Sequence, residues 1–130
     1  MTVDKDILDG LTRQAKESPR LRMNLDMRTS AGDNSQRMLN ALEPGTELPI
    51  HRHRKTTESV FVVRGSIRQN FYDDKGELTG SWVISPGSPI VGITVPCGQW
   101  HNTKSLETGT VIFEAKDGAY EPLTDIDILK

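Results

Sequence analysis

The chain has 130 residues, a formal net charge of −2 from 16 Lys+Arg against 18 Asp+Glu, one cysteine and three histidines. That length holds one core and one domain; near-neutral charge with 5% aromatics excludes a basic or base-stacking nucleic-acid binder, and one cysteine excludes a disulfide framework or a multi-thiolate zinc site. The first residues show no apolar signal region, and no apolar run approaches the roughly 18 residues of a membrane span, so the expectation is a cytoplasmic domain with no membrane or nucleic-acid partner.

Ile7, Leu8, Leu11 and Ala15 share one face at helical spacing, and Ser18-Pro19 stops that helix. The period then changes to two. From Arg20 to Arg28 every odd position is apolar and every even one polar, the pattern of a half-buried strand. Further strands are expected over residues 36–42, through the Val/Ile/Phe-rich stretch 59–71, and over 78–84, 90–95, 100–106 and 110–116, with turn residues between them. The tail 121–130 reads as extended, an edge strand or an exchanged arm. One helix followed by many short strands argues for an all-β barrel or jelly roll.

Charge is unevenly distributed. Every arginine lies at or before Arg68, so the first half is cationic and the second acidic. Arg20, Arg22 and Arg28 share the polar face of the first strand with Asn24 and Asp26. That face either lies in solvent or lines a barrel mouth, where Arg20, Arg22 and Arg37 are candidate contacts for an anionic ligand.

All three histidines stand where a metal site would use them. His51 and His53 are two apart, which on a strand puts both rings on one side. Glu58 opens a β-forming run and His101 follows a Pro-Gly turn. Three imidazoles and a carboxylate suit one divalent transition metal (Zn, Fe, Mn, Ni or Co) and leave positions for water or ligand. On this parity Val60 and Val62 point inward with Glu58 as apolar walls of the site, while Phe61 and Val63 point out. Glu114 and Tyr120, near the end of the last strand, are candidate general acids or bases, with the orientation of Glu114 open. Lys116 is expected in solvent, Cys97 as a buried inert thiol, and Trp100 in sheet packing or a dimer interface.

The spacing Gly45, five residues, His51-Arg52-His53, four residues, Glu58, six residues, Gly65 resembles the first motif of the cupin superfamily at every fixed position. Pro96-Cys97-Gly98-Gln99-Trp100-His101 resembles the core of the second. Ile90 stands where the second motif has Gly, and Ser105 where it has Asn. The N-terminal helix, residues 18–25 and residues 36–45 are similar to the WbuC-type cupin metalloproteins of bacterial surface-polysaccharide gene clusters. The resemblance implies a single small cupin barrel (1–18 helix, 20–43 N-terminal strands, 44–120 core, 121–130 tail) with one metal per chain, forming a homodimer. The expected function is that of a metal-dependent enzyme, an isomerase, epimerase, lyase or dioxygenase, acting on a small polar or anionic carbohydrate-derived ligand. The alternative is a non-catalytic sugar-binding or regulatory module.

Overall fold

In the computed structural model, which describes residues 1–130, helix α1 (Lys5–Glu17) starts at Asp4, whose side chain accepts the Ile7 N–H at 3.0 Å. It ends at Ser18, because Pro19 cannot continue the ladder. Eight strands follow: β1 (Arg22–Asp26), β2 (Ser35–Leu42), β3 (Glu58–Arg64), β4 (Ile67–Tyr72), β5 (Leu78–Ile84), β6 (Gly92–Val95), β7 (Trp100–Ser105) and β8 (Thr110–Asp117). They form two antiparallel sheets, ordered β1-β2-β8-β3-β6 and β5-β4-β7. This is a jelly roll.

Three expectations are corrected. The apolar stretch 59–71 is two strands, broken at Gly65, whose φ of 87° only glycine adopts without strain. The strand expected from Ile90 begins at Gly92. The tail is not an edge strand of either sheet. It makes one 3-10 turn (Asp125–Asp127) and one bridge, from Ile128 to His51 of the same chain.

Alternation decides what each strand buries. Leu39, Ala41 and Val111 point out of the five-stranded sheet and pack against Leu11 and Ala15 of α1, together with Met23 and Leu25. The opposite parity points between the sheets. There Leu42, Val60, Val62, Ile67, Ile84 and Ile112 form the core. The inner faces are not uniformly apolar. Along β8 they run from Ile112 to Glu114 to Lys116, and across the register Lys116 stands beside Gln36 on one side and Glu58 on the other. One end of the barrel is therefore hydrocarbon and the other a polar chamber.

Gly65 meets β8 at close quarters, since a Cβ there would lie 2.6 Å from the Thr110 Cα. Gly65→Ala is expected to cost about 2–4 kcal/mol through overpacking and backbone strain. Gly87→Ala, with nothing within 4 Å, should stay within about 0.5 kcal/mol of the parent. Urea unfolding of the two variants checks this.

Candidate functional site

Residues 44–57 contain no regular strand, yet they deliver two of the three histidines. His51 N–H donates to the His101 carbonyl at 3.0 Å and His101 N–H donates back to the His51 carbonyl at 2.9 Å. This reciprocal pair extends β7's sheet by one rung, and directly opposed residues of an antiparallel pair put their side chains on one face. The two ring centroids are 4.3 Å apart. His53 is fixed two residues on, where the Gly98 N–H donates to its carbonyl at 2.8 Å. Gly98, at φ 83°, turns the chain so that this N–H is presented. The His53 ring lies 5.2 Å from that of His51 and 5.6 Å from that of His101.

One ligating atom from each ring falls within 4.8 Å of the others. His51 Nδ1 is 2.9 Å from the Pro49 carbonyl and His101 Nδ1 is 2.8 Å from the Gln99 carbonyl. A carbonyl only accepts, so both Nδ1 atoms carry the proton and both Nε2 lone pairs are free. That tautomer, fixed by a backbone acceptor, is the one a metal takes. Burial, then the neighbouring His101, holds His51 down at about 4, and burial lowers His101 as well. Both rings are neutral at pH 7, the ligating form.

Glu58 opens β3 and is buried. Its Oε2 lies 3.4 Å from His53 Nε2 and 3.7 Å from Lys116 Nζ, and has no hydrogen-bond partner. Burial works against the charge on Glu58, but His53, Lys116 and His101 outweigh it and hold the carboxyl below its ordinary range. A buried oxygen without a hydrogen bond is costly. The ligand atoms that all fall within 4.8 Å of one another are those of His51, His53 and His101, a donor set that fits a divalent transition metal, and Glu58 reaches it through His53.

A cavity of about 510 Å3 extends from the histidines along the inner faces of β8, β2 and β1. Its walls differ from the expectation. Val60 and Val62 do point inward, and Phe61 and Val63 outward, but the valines belong to the core beneath. The chamber itself is faced by Asn24, Gln36, Asn40, Glu114 and Lys116, with Leu42, Leu48 and Ile112 as its apolar part. Glu114 accepts from Asn40 Nδ2 at 3.1 Å. Burial first, then the charge of Glu58, pushes its carboxyl up to about 7. Lys116 is not in solvent: its side chain is 16% exposed and lies against Glu58.

The arginines divide. Arg22 lines the cavity, but Arg20 does not. Arg37 has the opposite parity on β2 and pairs with Asp33 at 3.2 Å and with Ser35 Oγ at 2.8 Å. Arg28 pairs with Asp26 at 2.7 Å and lies 5.7 Å from the Tyr120 ring centroid. Tyr120 stands exposed at the cavity rim. Cys97 is exposed rather than buried, its thiol donating to the Arg54 carbonyl. Trp100 is buried, donates to Asp74 at 2.9 Å, and carries the Arg52 guanidinium over its ring at 4.4 Å.

The sequence reading missed Asp127. Arg52 and Arg54 alternate with the histidines, point the other way and hold Asp127 Oδ1 at 3.7 and 2.7 Å, so the tail straps across the cavity mouth. The alternation His-Arg-His-Arg was the available signal. Gln36 and Asn40 were also missed, although the parity that turns Leu39 and Ala41 outward turns them inward.

The profile of a family described as a domain of unknown function (DUF6016) matches residues 3–84. The chain belongs to this family. No curated protein matches it in sequence. Among solved structures, this DUF6016 domain is similar to KdgF from Halomonas sp., at TM-score 0.62 and 14% identity over 79% of this chain and 84% of that one. It is similar to oxalate oxidase in complex with the substrate analogue glycolate, at TM-score 0.62 and 16% identity over 82% of this chain and 55% of that one. It also resembles the cupin domain of Schizosaccharomyces pombe Cnp3, at TM-score 0.60 and 10% identity over 75% and 64%. The fold is that of the cupins, and the three histidines bring together ligand atoms that could hold a metal ion. No helix is long and apolar enough to cross a membrane.

Glu114 has a pH signature in the metal-free protein. Its folded pKa lies above its unfolded one, so the folded state holds the proton more tightly, and deprotonation destabilises it progressively from about pH 4.5 to about pH 7. Glu114→Gln removes that loss. Chelator-treated variant and parent should melt together near pH 4.5, and the variant should melt about 3 °C or more higher near pH 8, read by circular dichroism.

Proposed function

We propose that the protein is a metal-dependent enzyme acting on a small polar or anionic carbohydrate-derived ligand bound in the barrel chamber. The observation that carries this reading is the histidine cluster, with the Nε2 atoms of His51 and His101 free, beside a buried carboxylate oxygen without a hydrogen bond, in one cavity of mixed polar and apolar lining. His51, His53, His101 and Glu58 would hold the ion, one per chain, drawn from Zn, Fe, Mn, Ni or Co. Bound there, it would polarise a carbonyl or hydroxyl oxygen of the ligand.

The chain's own residues supply the rest. His53 and, after it, Lys116 hold Glu58 in its charged form against the effect of burial. Asn40 fixes the Glu114 carboxyl towards the chamber, where a group titrating near neutrality gives or takes a proton at its oxygen. Such a residue favours isomerase, epimerase or lyase chemistry, which moves a proton on carbon, over dioxygenase chemistry. Tyr120 at the rim is a second, more exposed acid. The strap through Asp127 limits water at the mouth.

A carbohydrate-derived ligand is supported by the amide and carboxyl lining and by the resemblance to WbuC-type proteins of surface-polysaccharide gene clusters. An anionic one is supported by Arg22 in the wall, and by the small hydroxycarboxylate in the oxalate oxidase structure of like fold. A homodimer would cover the exposed outward-facing Phe61 and Val63. A cytoplasmic location goes with this metabolic role.

Protein purified without a histidine tag should carry about one metal ion per chain by mass spectrometry, and His101→Ala below about 0.2. Metal-free parent protein, or a content unchanged in His101→Ala, would overturn the reading. A panel of sugars, sugar acids and sugar nucleotides should give product only with metal present. Thermal stabilisation by a ligand without product would make the protein a binding module.

A further inference from the structure

Five cationic residues border the cavity or its mouth, and four of them have a carboxylate within 4 Å. Arg52 and Arg54 share Asp127, Lys55 has Glu121 at 3.6 Å and Lys116 has Glu58 at 3.7 Å. Arg22 has none. Its Nη1 donates to Thr46 Oγ1 at 3.4 Å and to the Glu47 carbonyl at 3.1 Å, two neutral acceptors that orient the guanidinium without neutralising it. The N–H groups on Nε and Nη2 have no protein acceptor, which leaves three of the five donors free. Burial and the adjacent Arg20 both work against its charge. A half-buried cation beside a second cation is an unfavourable arrangement until an anion arrives.

What stands next to Arg22 describes the remainder of that anion. Asn24 follows on the same inner face of β1, and Asn40 lies directly opposite it on β2. Asn40 donates to Glu114 on β8. Glu114 is in turn the chamber carboxylate with no cation within 4 Å. A cation, two amides and a carboxyl therefore cross three strands in sequence. Amides and a carboxyl are partners for hydroxyl groups. A single unpaired guanidinium fork matches one planar carboxylate. A phosphate dianion would bring twice the charge to one free cation, with Glu114 facing the same space.

We propose that Arg22 anchors the carboxylate of a hydroxylated, sugar-like acid whose hydroxyls lie along Asn24, Asn40 and Glu114. This rests on the reading of the chamber as a ligand site over a metal, and it names the class of that ligand. The cavity of about 510 Å3 has room for a molecule of that size.

The test is calorimetric titration of the metal-loaded full chain with D-gluconate, D-glucuronate, glucose 6-phosphate and D-glucitol, which is gluconate with an alcohol in place of its carboxylate. At least one of the two acids should bind about tenfold or more tightly than glucitol. Arg22→Gln should lose about tenfold or more of that acid's affinity and leave glucitol binding unchanged, and Arg22→Lys should fall between. Neither acid exceeding glucitol, or Arg22→Gln within about twofold of the parent, overturns the proposal. Tighter binding of glucose 6-phosphate assigns the anchor to phosphate and also overturns it. If thermal unfolding shows that Arg22→Gln has not folded, Arg22→Lys decides, and full retention of acid affinity there is again negative. Metal content is measured on every sample. Parent protein that holds no metal refutes the enzyme reading, whereas loaded parent that ignores both acids refutes the anchor alone.

Discussion

Two backbone hydrogen bonds, His51 to His101 and back, hold the chemistry of this protein together. The segment that carries His51 and His53 has no strand of its own, and without that rung nothing would fix where their rings point. With it, His51 becomes the middle of a narrow strip. β7 lies on one side and Ile128 on the other, with Leu129 N–H donating to the Ile50 carbonyl and Arg52 N–H to the Asp127 carbonyl. Alternation along the strip turns His51 and His53 inward and Arg52 and Arg54 outward towards Asp127 and Trp100. One pairing thus sets the ligand geometry, the position of the tail and the mouth of the chamber.

The barrel interior serves two ends that ordinarily conflict. Hydrocarbon burial stabilises the fold in proportion to the area removed from water, while a reactive site needs polar groups kept partly dry. Here they are separated along the strand direction. Ile112, Val62, Leu42, Ile67 and Ile84 close one end, and Glu58, Glu114, Lys116 and the histidines occupy the other. The polar end is held by pairing rather than by exposure. Lys116 faces Glu58, Asn40 faces Glu114, and two backbone carbonyls take the Nδ1 protons of His51 and His101.

Much of this was legible in the sequence, for reasons that differ by residue. The helix, the strand at Arg22 and the strand at Gln36 announced themselves by period. The histidines and Glu58 did so by spacing against Gly45, Gly65 and Gly98. Parity turned Val60 inward and Phe61 outward correctly. It did not settle which part of the interior each residue reaches, so Val60 was read as cavity wall when it belongs to the core. Lys116 was misread because a lysine near a strand end is usually solvated, and only the register against Glu58 reveals its partner. The role of Asp127 depends on contacts about seventy residues away in sequence, which no local pattern encodes. The same holds for Arg37, whose polar character suited a ligand equally well on either face of β2.

β8 lies in the middle of the five-stranded sheet, with β2 on one flank and β3 on the other. During synthesis, β2 and β3 leave the ribosome long before the strand that joins them. Until β8 emerges they have no common partner, and Glu58 has neither Lys116 beside it nor a wall opposite. Contacts this distant in sequence form slowly and late. Glu58 is therefore made early and waits for Lys116. An ion held by all three histidines would meet a chain already made as far as β7 rather than the nascent first motif.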